Sequence, residues 1–482
     1  MNLNEYCRYD GLGLAELVRD GELTPRELAE CAALAIERVN PAINAVIDLY
    51  QDRLEPAEIG EGFEGCFGGV PFLLKDTGAG ERGRPQTCGS RIGRGFQCDT
   101  DSYLTRLYRE SGLNIIGRSA MPEFAMAATT ESACYGATRN PWDLERSAGG
   151  SSGGAAAAVA AGIVPLAHGT DTGGSIRIPA ACCGLIGLKP SRGRISKGPA
   201  LDETLYGGLN TEHVITRSVR DCAAALDATA LAMPGDPMPL HKPAGGFLKQ
   251  LNEAPVSLRV AFTTRTFEGK AVDPEIAMAV ERIAQFCESL GHVVEEATPS
   301  VNTEACAAAD DVVWTWSTCC EVKRVAATTG LQINARYLEP PVLEACDRAA
   351  YLELQDWFGA MEAYLEARRQ SDLFFDGYEL LLTPTLSSAA PPLGEINSNR
   401  DISLEDFMAA TGEFCPHTPL CNITGQPAIS LPLGISRDGL PIGVQAIARR
   451  GEEALLLRLA AVLETSGLWQ RAIPRLHATT GN

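Results

Sequence analysis

Short apolar runs alternate with helical stretches through the first half of the chain. Runs at 70–74, 113–116 and 163–167 predict buried strands, and 155–161 predicts a helix that begins just after a glycine-rich loop. Strands that alternate with helices in this way are typical of a largely buried sheet. The pattern therefore predicts an α/β fold.

Near the N-terminus, the boundary residues of one helix are unusually clear. Thr24 can cap a helix, Pro25 suits its first position, and Glu27 completes a capping box. We expect this helix to run to about Val39 and to end before Pro41, because proline interrupts a helix interior. Residues 43–49 then predict a strand.

Beyond a connection at 234–254 that is rich in proline and glycine, the pattern predicts both strands and helices. The expected strands lie at 256–264, 293–294 and 380–382, and the expected helices at 273–290, 304–327, 341–369 and 452–464. Residues 428–433 and 441–448 predict a hairpin around Asp438-Gly439.

These elements suggest how the chain is organised. We expect residues 1–60 to form a helical segment that packs on the core, and residues 61–470 to form the main domain. The long helices predict a mostly helical insertion or lid at about 303–370 within that domain.

Composition narrows the choice of partners. The 482 residues carry a formal net charge of −20, which disfavours nucleic acid and anionic membrane surfaces. The N-terminus lacks a secretory pattern, and the chain has no apolar run of the roughly 18 residues that a membrane span needs. We therefore expect a cytoplasmic protein.

The 16 cysteines include no C-x-x-C pair, so the usual spacing of a zinc site is missing. Most of them lie among apolar or small residues, where reduced cysteines act as small hydrophobic side chains. We expect neither a metal ion nor another cofactor.

Lys75 follows the apolar run at 70–74. Burial disfavours an ammonium group, and a neutral lysine can accept a proton as a general base. The alternative is a lysine at the end of a strand that pairs with Asp76 or reaches water. Taken alone, the segment favours that alternative.

Two glycine-rich segments carry serines. In the first, Ser151 and Ser152 lie between two glycine pairs at 148–155, where close backbone amides could cradle a phosphate, form a nucleophile elbow or build another catalytic loop. No Gly-Lys-Ser/Thr follows, which argues against a phosphate-binding loop. The preceding residues are polar and not a strand, which argues against a nucleophile elbow. In the second segment, two glycines precede Ser175 and could present amides to an oxyanion or simply form a tight turn.

Together, the three segments resemble the amidase signature family, which combines such a lysine with a G-G-S-S-G-G loop and a downstream D-x-G-G-S-I-R segment. Ser175 lies 24 residues after Ser151, as in that family. The resemblance covers roughly residues 10–465 and continues at 123–126, 183–190, 422–432 and 438–445. It implies a large mixed central β-sheet that is covered by helices on both faces.

The resemblance also implies roles for individual residues. Ser175 would be the nucleophile, Ser151 the proton relay and Lys75 the base. The peptide before Ser151 would be cis. The oxyanion hole would be formed by the backbone N–H groups of Ser175 and the three residues before it, Thr172, Gly173 and Gly174. The loop would be braced by Ser152, Asp171 and Arg177.

Further segments are similar to the 6-aminohexanoate cyclic dimer hydrolase branch of the family. They place Ala125, Met126 and Cys320 at the substrate, with Cys319 as the neighbouring alternative to Cys320. Met126 occupies a position that is polar in that branch, which predicts a more apolar pocket and favours aryl amides or carbamates beside nylon-type oligoamides. The expected partner is a small-molecule amide, and we hypothesise a homodimer.

Two other functions remain open at this point. One is the glutaminase subunit of a tRNA-dependent amidotransferase, which would need a charged pocket for glutamine. The other is a non-catalytic protein that binds anions at its glycine loops and does not react with serine-directed reagents.

Overall fold

The computed structural model describes residues 1–54, 63–200, 205–253, 256–469 and 472–480. Its described residues form an eleven-stranded mixed sheet. In spatial order the strands are β1 (Val46–Leu49), β3 (Asn114–Ser119), β2 (Pro71–Lys75), β8 (Leu166–Asp171), β10 (Thr211–Thr216), β9 (Ile186–Lys189), β14 (Ala428–Ile435), β15 (Pro441–Ala448), β13 (Leu380–Pro384), β11 (Arg259–Phe262) and β12 (Val293–Glu296).

Two small two-stranded sheets lie outside the main sheet. They pair β4 (Glu131–Ser132) with β5 (Gly136–Ala137) and β6 (Arg139–Asn140) with β7 (Asp143–Ser147). The helices are α1 (Leu3–Tyr6), α2 (Gly11–Arg19), α3 (Pro25–Ile43), α4 (Tyr103–Glu110), α5 (Gly153–Ala160), α6 (Arg177–Cys183), α7 (Val219–Thr229), α8 (Phe247–Gln250), α9 (Pro274–Ser289), α10 (Thr303–Thr329), α11 (Pro340–Arg348), α12 (Leu354–Phe375), α13 (Leu404–Phe414), α14 (Thr418–Thr424) and α15 (Glu453–Thr465).

Helices cover both faces of the sheet, as expected. Helices α5 and α7 both contact β10. Helix α5 packs with α6, whereas α7 packs with α8 and α15. The sheet is mixed, because β2 runs parallel to β3 and β8 whereas β8 and β10 are antiparallel. The predicted α/β fold with a large mixed central sheet is confirmed.

The parallel pairing of β2 with β8 brings their carboxyl ends to the same edge of the sheet. Leu73 pairs with Ala167, so Lys75 at the end of β2 lies near the end of β8. The strand predicted at 163–167 in fact covers Leu166–Asp171, because these six residues pair with Thr211–Thr216 of β10. The three chemically interesting segments therefore meet at this edge.

Two predicted helices have different bounds. Helix α3 has the predicted capping box but continues past Pro41 to Ile43, where Asn44 adopts a left-handed conformation and ends it. The single helix expected at 341–369 is two helices, α11 and α12. They are separated because Glu353 starts a new helix through a capping box with Asp356.

The N-terminal segment contributes more than helices, because β1 pairs with β3 at one edge of the main sheet. The expected domain boundaries at 60 and 470 lie outside the described residues. Residues 303–370 are largely helical and comprise α10, α11 and most of α12. None of the helices in the described ranges is long and apolar enough to cross a membrane.

Candidate active site

Lys75 lies at the end of β2 with its side chain fully buried. Its Nζ is 2.6 Å from Ser151 Oγ and 2.8 Å from Thr170 Oγ1. The alternative pairing with Asp76 does not occur, because the Asp76 carboxylate accepts hydrogen bonds from the N–H groups of Thr87 and Gly89. The lysine is therefore directed at the first serine of the glycine loop.

Burial lowers the pKa of Lys75 to about 7, and the nearby carboxylates of Asp171 and Glu212 only partly oppose this shift. Glu212 is held by His168, whose Nε2 is 2.9 Å from Glu212 Oε2. The other ring nitrogen, Nδ1, accepts the backbone N–H of Lys75, so Nε2 carries the proton in the neutral ring. The lowered pKa makes the uncharged amine of Lys75 accessible near neutral pH.

The glycine loop fits tightly between its neighbours. The peptide between Gly150 and Ser151 is cis, as the resemblance implied. A Cβ atom on Gly150 would lie 2.3 Å from the carbonyl oxygen of Thr129, so only glycine fits there. Ser151 is fully buried beside Lys75.

Ser152 connects the loop to the other segments, in agreement with its expected bracing position. Its N–H donates to the carbonyl oxygen of Ser175 at 3.2 Å, and its hydroxyl donates to the carbonyl oxygen of Thr170 at 3.2 Å. The loop that carries Ser151 is thereby held against the segment that carries Ser175.

Asp171 and Arg177 form a fully buried ion pair behind Ser175. Arg177 donates to the two carboxylate oxygens at 2.9 and 2.8 Å. Burial alone would raise the pKa of Asp171, but the guanidinium and further hydrogen bonds lower it to about 2. Arg177 also donates to the side chains of Asn422 and Gln445, at 2.6 and 2.8 Å.

The turn before Ser175 differs from expectation in one respect. The N–H of Gly174 donates to Asp171 Oδ1 at 2.8 Å, so this amide braces the turn and is not free for an oxyanion. Among the described residues, the N–H groups of Gly173 and Ser175 have no hydrogen-bond partner. Thr172 lies at the start of the turn, where its hydroxyl donates to Asn210 Oδ1 at 3.1 Å.

A cavity of about 760 Å³ opens beside Ser175. Ala125 and Met126 line it, as predicted. One face of α10 forms another wall through side chains at helical spacing, Thr303, Cys306, Ala307, Asp310, Asp311 and Trp314. Its lining is mainly apolar near Ser175.

The structure does not bring Cys320, which the sequence places at the substrate, to this cavity. Cys320 is exposed and does not line the cavity, because it lies six residues after Trp314 and projects from another face of α10. Cys319 is buried against the carbonyl oxygen of Cys346 and does not line the cavity either.

The cavity carries an excess of negative charge. Its lining includes one lysine, Lys270, and five carboxylates, Glu268, Asp273, Asp310, Asp311 and Glu413. Burial raises the pKa of Asp310 to about 7, although the hydroxyl of Tyr364 donates to its carboxylate. Asp311 is paired with Arg348 at 2.6 Å.

Four residues at the site were not predicted as site residues, namely Thr170, Thr418, Asn422 and Gln445. Asn422 and Gln445 lie in the C-terminal segments that resemble the family, so the motif could have identified them. Thr170 and Thr418 act through hydrogen bonds to other segments, which no local pattern predicts. Among the described residues, no group of three or more potential metal ligands is found.

The chain matches the family described as Amidase over residues 27–457. It is 38% identical, over 97% of its length and 96% of the relative's, to a 6-aminohexanoate-cyclic-dimer hydrolase of Paenarthrobacter ureafaciens. It is also 36% identical to a putative amidase, AmiC, of Mycobacterium bovis, over 96% of this chain and 95% of that protein.

Solved structures agree with these matches. A 6-aminohexanoate cyclic dimer hydrolase complexed with substrate superposes with a TM-score of 0.91 at 36% identity, covering 98% of this chain and 99% of the other. A bacterial aryl acylamidase superposes with a TM-score of 0.88 at 27% identity, with the same coverage. The chain therefore belongs to the amidase signature family and is a hydrolase of amide bonds.

Proposed function

We propose that Ser175 is the nucleophile, Ser151 the proton relay and Lys75 the base of this hydrolase. The observation that carries the proposal is the distance of 2.6 Å between the buried Lys75 Nζ and Ser151 Oγ, on a loop that is hydrogen-bonded to Ser175. A serine hydroxyl needs such a base before it can attack an amide.

The proposed hydrolysis depends on proton transfers among Ser175, Ser151 and Lys75. Neutral Lys75 donates one N–H to Thr170 and directs its lone pair at the hydroxyl of Ser151. Ser175 passes its proton to Ser151 as its oxygen bonds to the amide carbon, and Ser151 passes its own proton to Lys75. The same route returns a proton to the amide nitrogen, so that the C–N bond breaks and the amine leaves neutral. Water then hydrolyses the acyl-enzyme in the same way.

The negative oxygen of the tetrahedral intermediate needs nearby donors. We assign this role to the N–H groups of Thr172, Gly173 and Ser175, and we leave out that of Gly174 because Asp171 occupies it. Fixed donors stabilise the developing charge without reorganising during the reaction. The buried pair of Asp171 and Arg177 keeps the turn in place.

The cavity supports oligoamides of the nylon type, linear or cyclic, as substrates. Apolar side chains such as Met126 and Ile178 lie beside Ser175, and the carboxylates on the wall repel anionic groups. Among the described residues that line the cavity, Lys270 is the only cation available to pair with the carboxylate of glutamine, which argues against a glutaminase subunit. The apolar Met126 and Trp314 also favour aryl amides and carbamates as a second substrate class.

A substrate panel tests the proposal. It contains the 6-aminohexanoate cyclic dimer, a linear oligomer, 4-nitroacetanilide, a small carbamate and glutamine. We expect turnover of the cyclic dimer, the linear oligomer, 4-nitroacetanilide and the carbamate, weak or no turnover of glutamine, and no activity of Ser175→Ala or Lys75→Ala. Near-normal activity of Ser175→Ala would refute the assignment.

A second measurement addresses the non-catalytic alternative. A fluorophosphonate should label Ser175 covalently, and Ser175→Ala should remain unlabelled. Stabilisation by phosphate without any labelling would favour an anion-binding protein instead.

We also propose that the enzyme is cytoplasmic and homodimeric. All 16 cysteines are free thiols, as in a reducing compartment. Helix α12 exposes Leu354, Phe358 and Leu365, which a second copy could cover. Sedimentation of the purified chain tests the dimer.

A further inference from the structure

The peptide between Gly173 and Gly174 is held at both of its polar groups. The hydroxyl of Thr418 donates to the carbonyl oxygen of Gly173 at 2.7 Å. On the other side of the same peptide, the N–H of Gly174 donates to Asp171 Oδ1 at 2.8 Å. The two hydrogen bonds point in opposite directions and fix the plane of the peptide.

Thr418 packs directly on this turn. It is the first residue of α14, and its side chain is fully buried. Gly174 has a φ of +134°, and a Cβ atom there would lie 2.3 Å from Thr418 Oγ1. The glycine is therefore needed both for the backbone conformation and for the close approach of the threonine.

The orientation of this peptide decides what the turn presents to a substrate. Within the part of the chain that the structure describes, the neighbouring N–H groups of Gly173 and Ser175 have no hydrogen-bond partner. If the peptide rotated by half a turn, the carbonyl of Gly173 would leave Thr418 and point towards the Asp171 carboxylate. That arrangement would place two hydrogen-bond acceptors, the Gly173 carbonyl and the Asp171 carboxylate, against each other. It would also turn the adjacent N–H groups away from their present directions.

We propose that Thr418 is a positioning residue, whose hydroxyl holds the Gly173–Gly174 peptide so that the flanking amides meet the oxyanion. The inference rests on the proposed role of Ser175. Thr418 does not line the cavity, and so it acts through the turn and not on the substrate.

Two variants separate the hydroxyl from the shape of the side chain. Thr418→Val keeps the branched shape but removes the donor, whereas Thr418→Ser keeps the donor and loses one methyl group. We expect Thr418→Val to lower kcat by about 10- to 100-fold, less than or similar to the loss of a direct oxyanion donor. The KM should change by less than about twofold, because the interaction matters mainly in the transition state. Thr418→Ser should retain kcat within about threefold.

Each alternative outcome overturns the inference. Wild-type kcat in Thr418→Val would show that the hydroxyl is dispensable. Equal losses in Thr418→Val and Thr418→Ser would show a packing role. If Thr418→Val does not fold, Thr418→Ala replaces it, and the same contrast with Thr418→Ser applies.

Ser175→Ala distinguishes this inference from the proposed function. If Ser175→Ala remains active, the proposed function fails, whatever Thr418 does. If Ser175→Ala is inactive while Thr418→Val has normal kinetics, only the positioning role fails.

Discussion

At the scale of single residues, the proposed role of Lys75 as the base makes activity depend on its protonation. Its pKa is lowered to about 7, and only the neutral amine can accept the proton from Ser151. We therefore expect kcat/KM for a neutral amide to rise about tenfold per pH unit below 7 and to level off above it, since this constant reports the free enzyme. A pH profile measured between 5 and 9 tests this. A flat profile over that range would contradict a lysine base.

A substitution at Glu212 should shift the pH profile of kcat/KM. Its carboxylate lies close enough to Lys75 to raise the pKa of the lysine. Glu212→Gln removes the charge and keeps the shape, so the pKa of Lys75 should fall and the acid limb of kcat/KM should shift to lower pH. Glu288→Gln, at an exposed position on α9, is the matched control and should leave the limb in place. A shift to higher pH in Glu212→Gln would contradict the electrostatic explanation.

The ion pair of Asp171 with Arg177 couples the stability of the fold to the site. Asp171→Asn would leave the buried guanidinium without a counter-charge, which typically costs about 3–5 kcal/mol. Urea unfolding near pH 7 should detect this loss, and kcat should fall with it. Exposed Asp376→Asn serves as the control and should change stability little.

The same pair predicts how stability depends on acid. The pKa of Asp171 is about 2 when folded, below its ordinary value of about 3.9 when unfolded. A lowered pKa stabilises the fold fully above the unfolded value, and this contribution is lost as pH falls towards 2. In Asp171→Asn the decrease of stability between pH 5 and 2 should be smaller than in the wild type.

At the scale of elements, the glycine loop tolerates no side chain at Gly150. A Cβ atom there would overlap the backbone of Thr129. Thr129 cannot move away without disturbing the hydrogen bond that its hydroxyl donates to the carbonyl oxygen of Ile396. We expect Gly150→Ala to abolish activity and to lower the melting temperature. Gly359→Ala, in helix α12 with open space around it and away from the cavity, should be tolerated. An active, stable Gly150→Ala would show that the loop is more adaptable than its packing implies.

The local pattern of the sequence predicts long elements well and short buried elements poorly. The capping box of Thr24 and Glu27 located the start of α3, and the Asp438-Gly439 turn located the β14–β15 hairpin. Helix α14 has only seven residues, too few for a periodic signal. The order of the strands depends on pairing between distant segments, which local periodicity does not contain.

The proposed catalytic residues, too, could be predicted only in part from the sequence. Lys75 alone was better explained as a lysine at a strand end, and it gained its role from its spacing to Ser151 and Ser175 within the motif. The motif did not reveal that Gly174 donates to Asp171 or that Cys320 is exposed, because both depend on the three-dimensional packing of the turn and of α10.

At the scale of the whole molecule, charge should select substrates. The chain has a net charge of −20, and carboxylates outnumber the single lysine in the cavity lining. An oligoamide that ends in a carboxylate should therefore have a lower kcat/KM than the same oligomer capped as a neutral amide. Substitution of an exposed carboxylate of the lining, Glu268→Gln, should reduce the difference, and so should added salt, because salt screens charges at exposed sites. Equal rates for both oligomers at low salt would contradict this prediction.

The buried hydrogen bonds of Arg177 also have a consequence for the order in which the site forms during synthesis. The two serines and the lysine lie before residue 176, whereas Thr418, Asn422 and Gln445 come from the last quarter of the sequence. During synthesis, a ribosome releases the reactive groups long before the groups that orient them. We therefore expect the nascent chain to carry the three proposed catalytic residues before their site is ordered, and to gain activity only after β15 has joined the sheet.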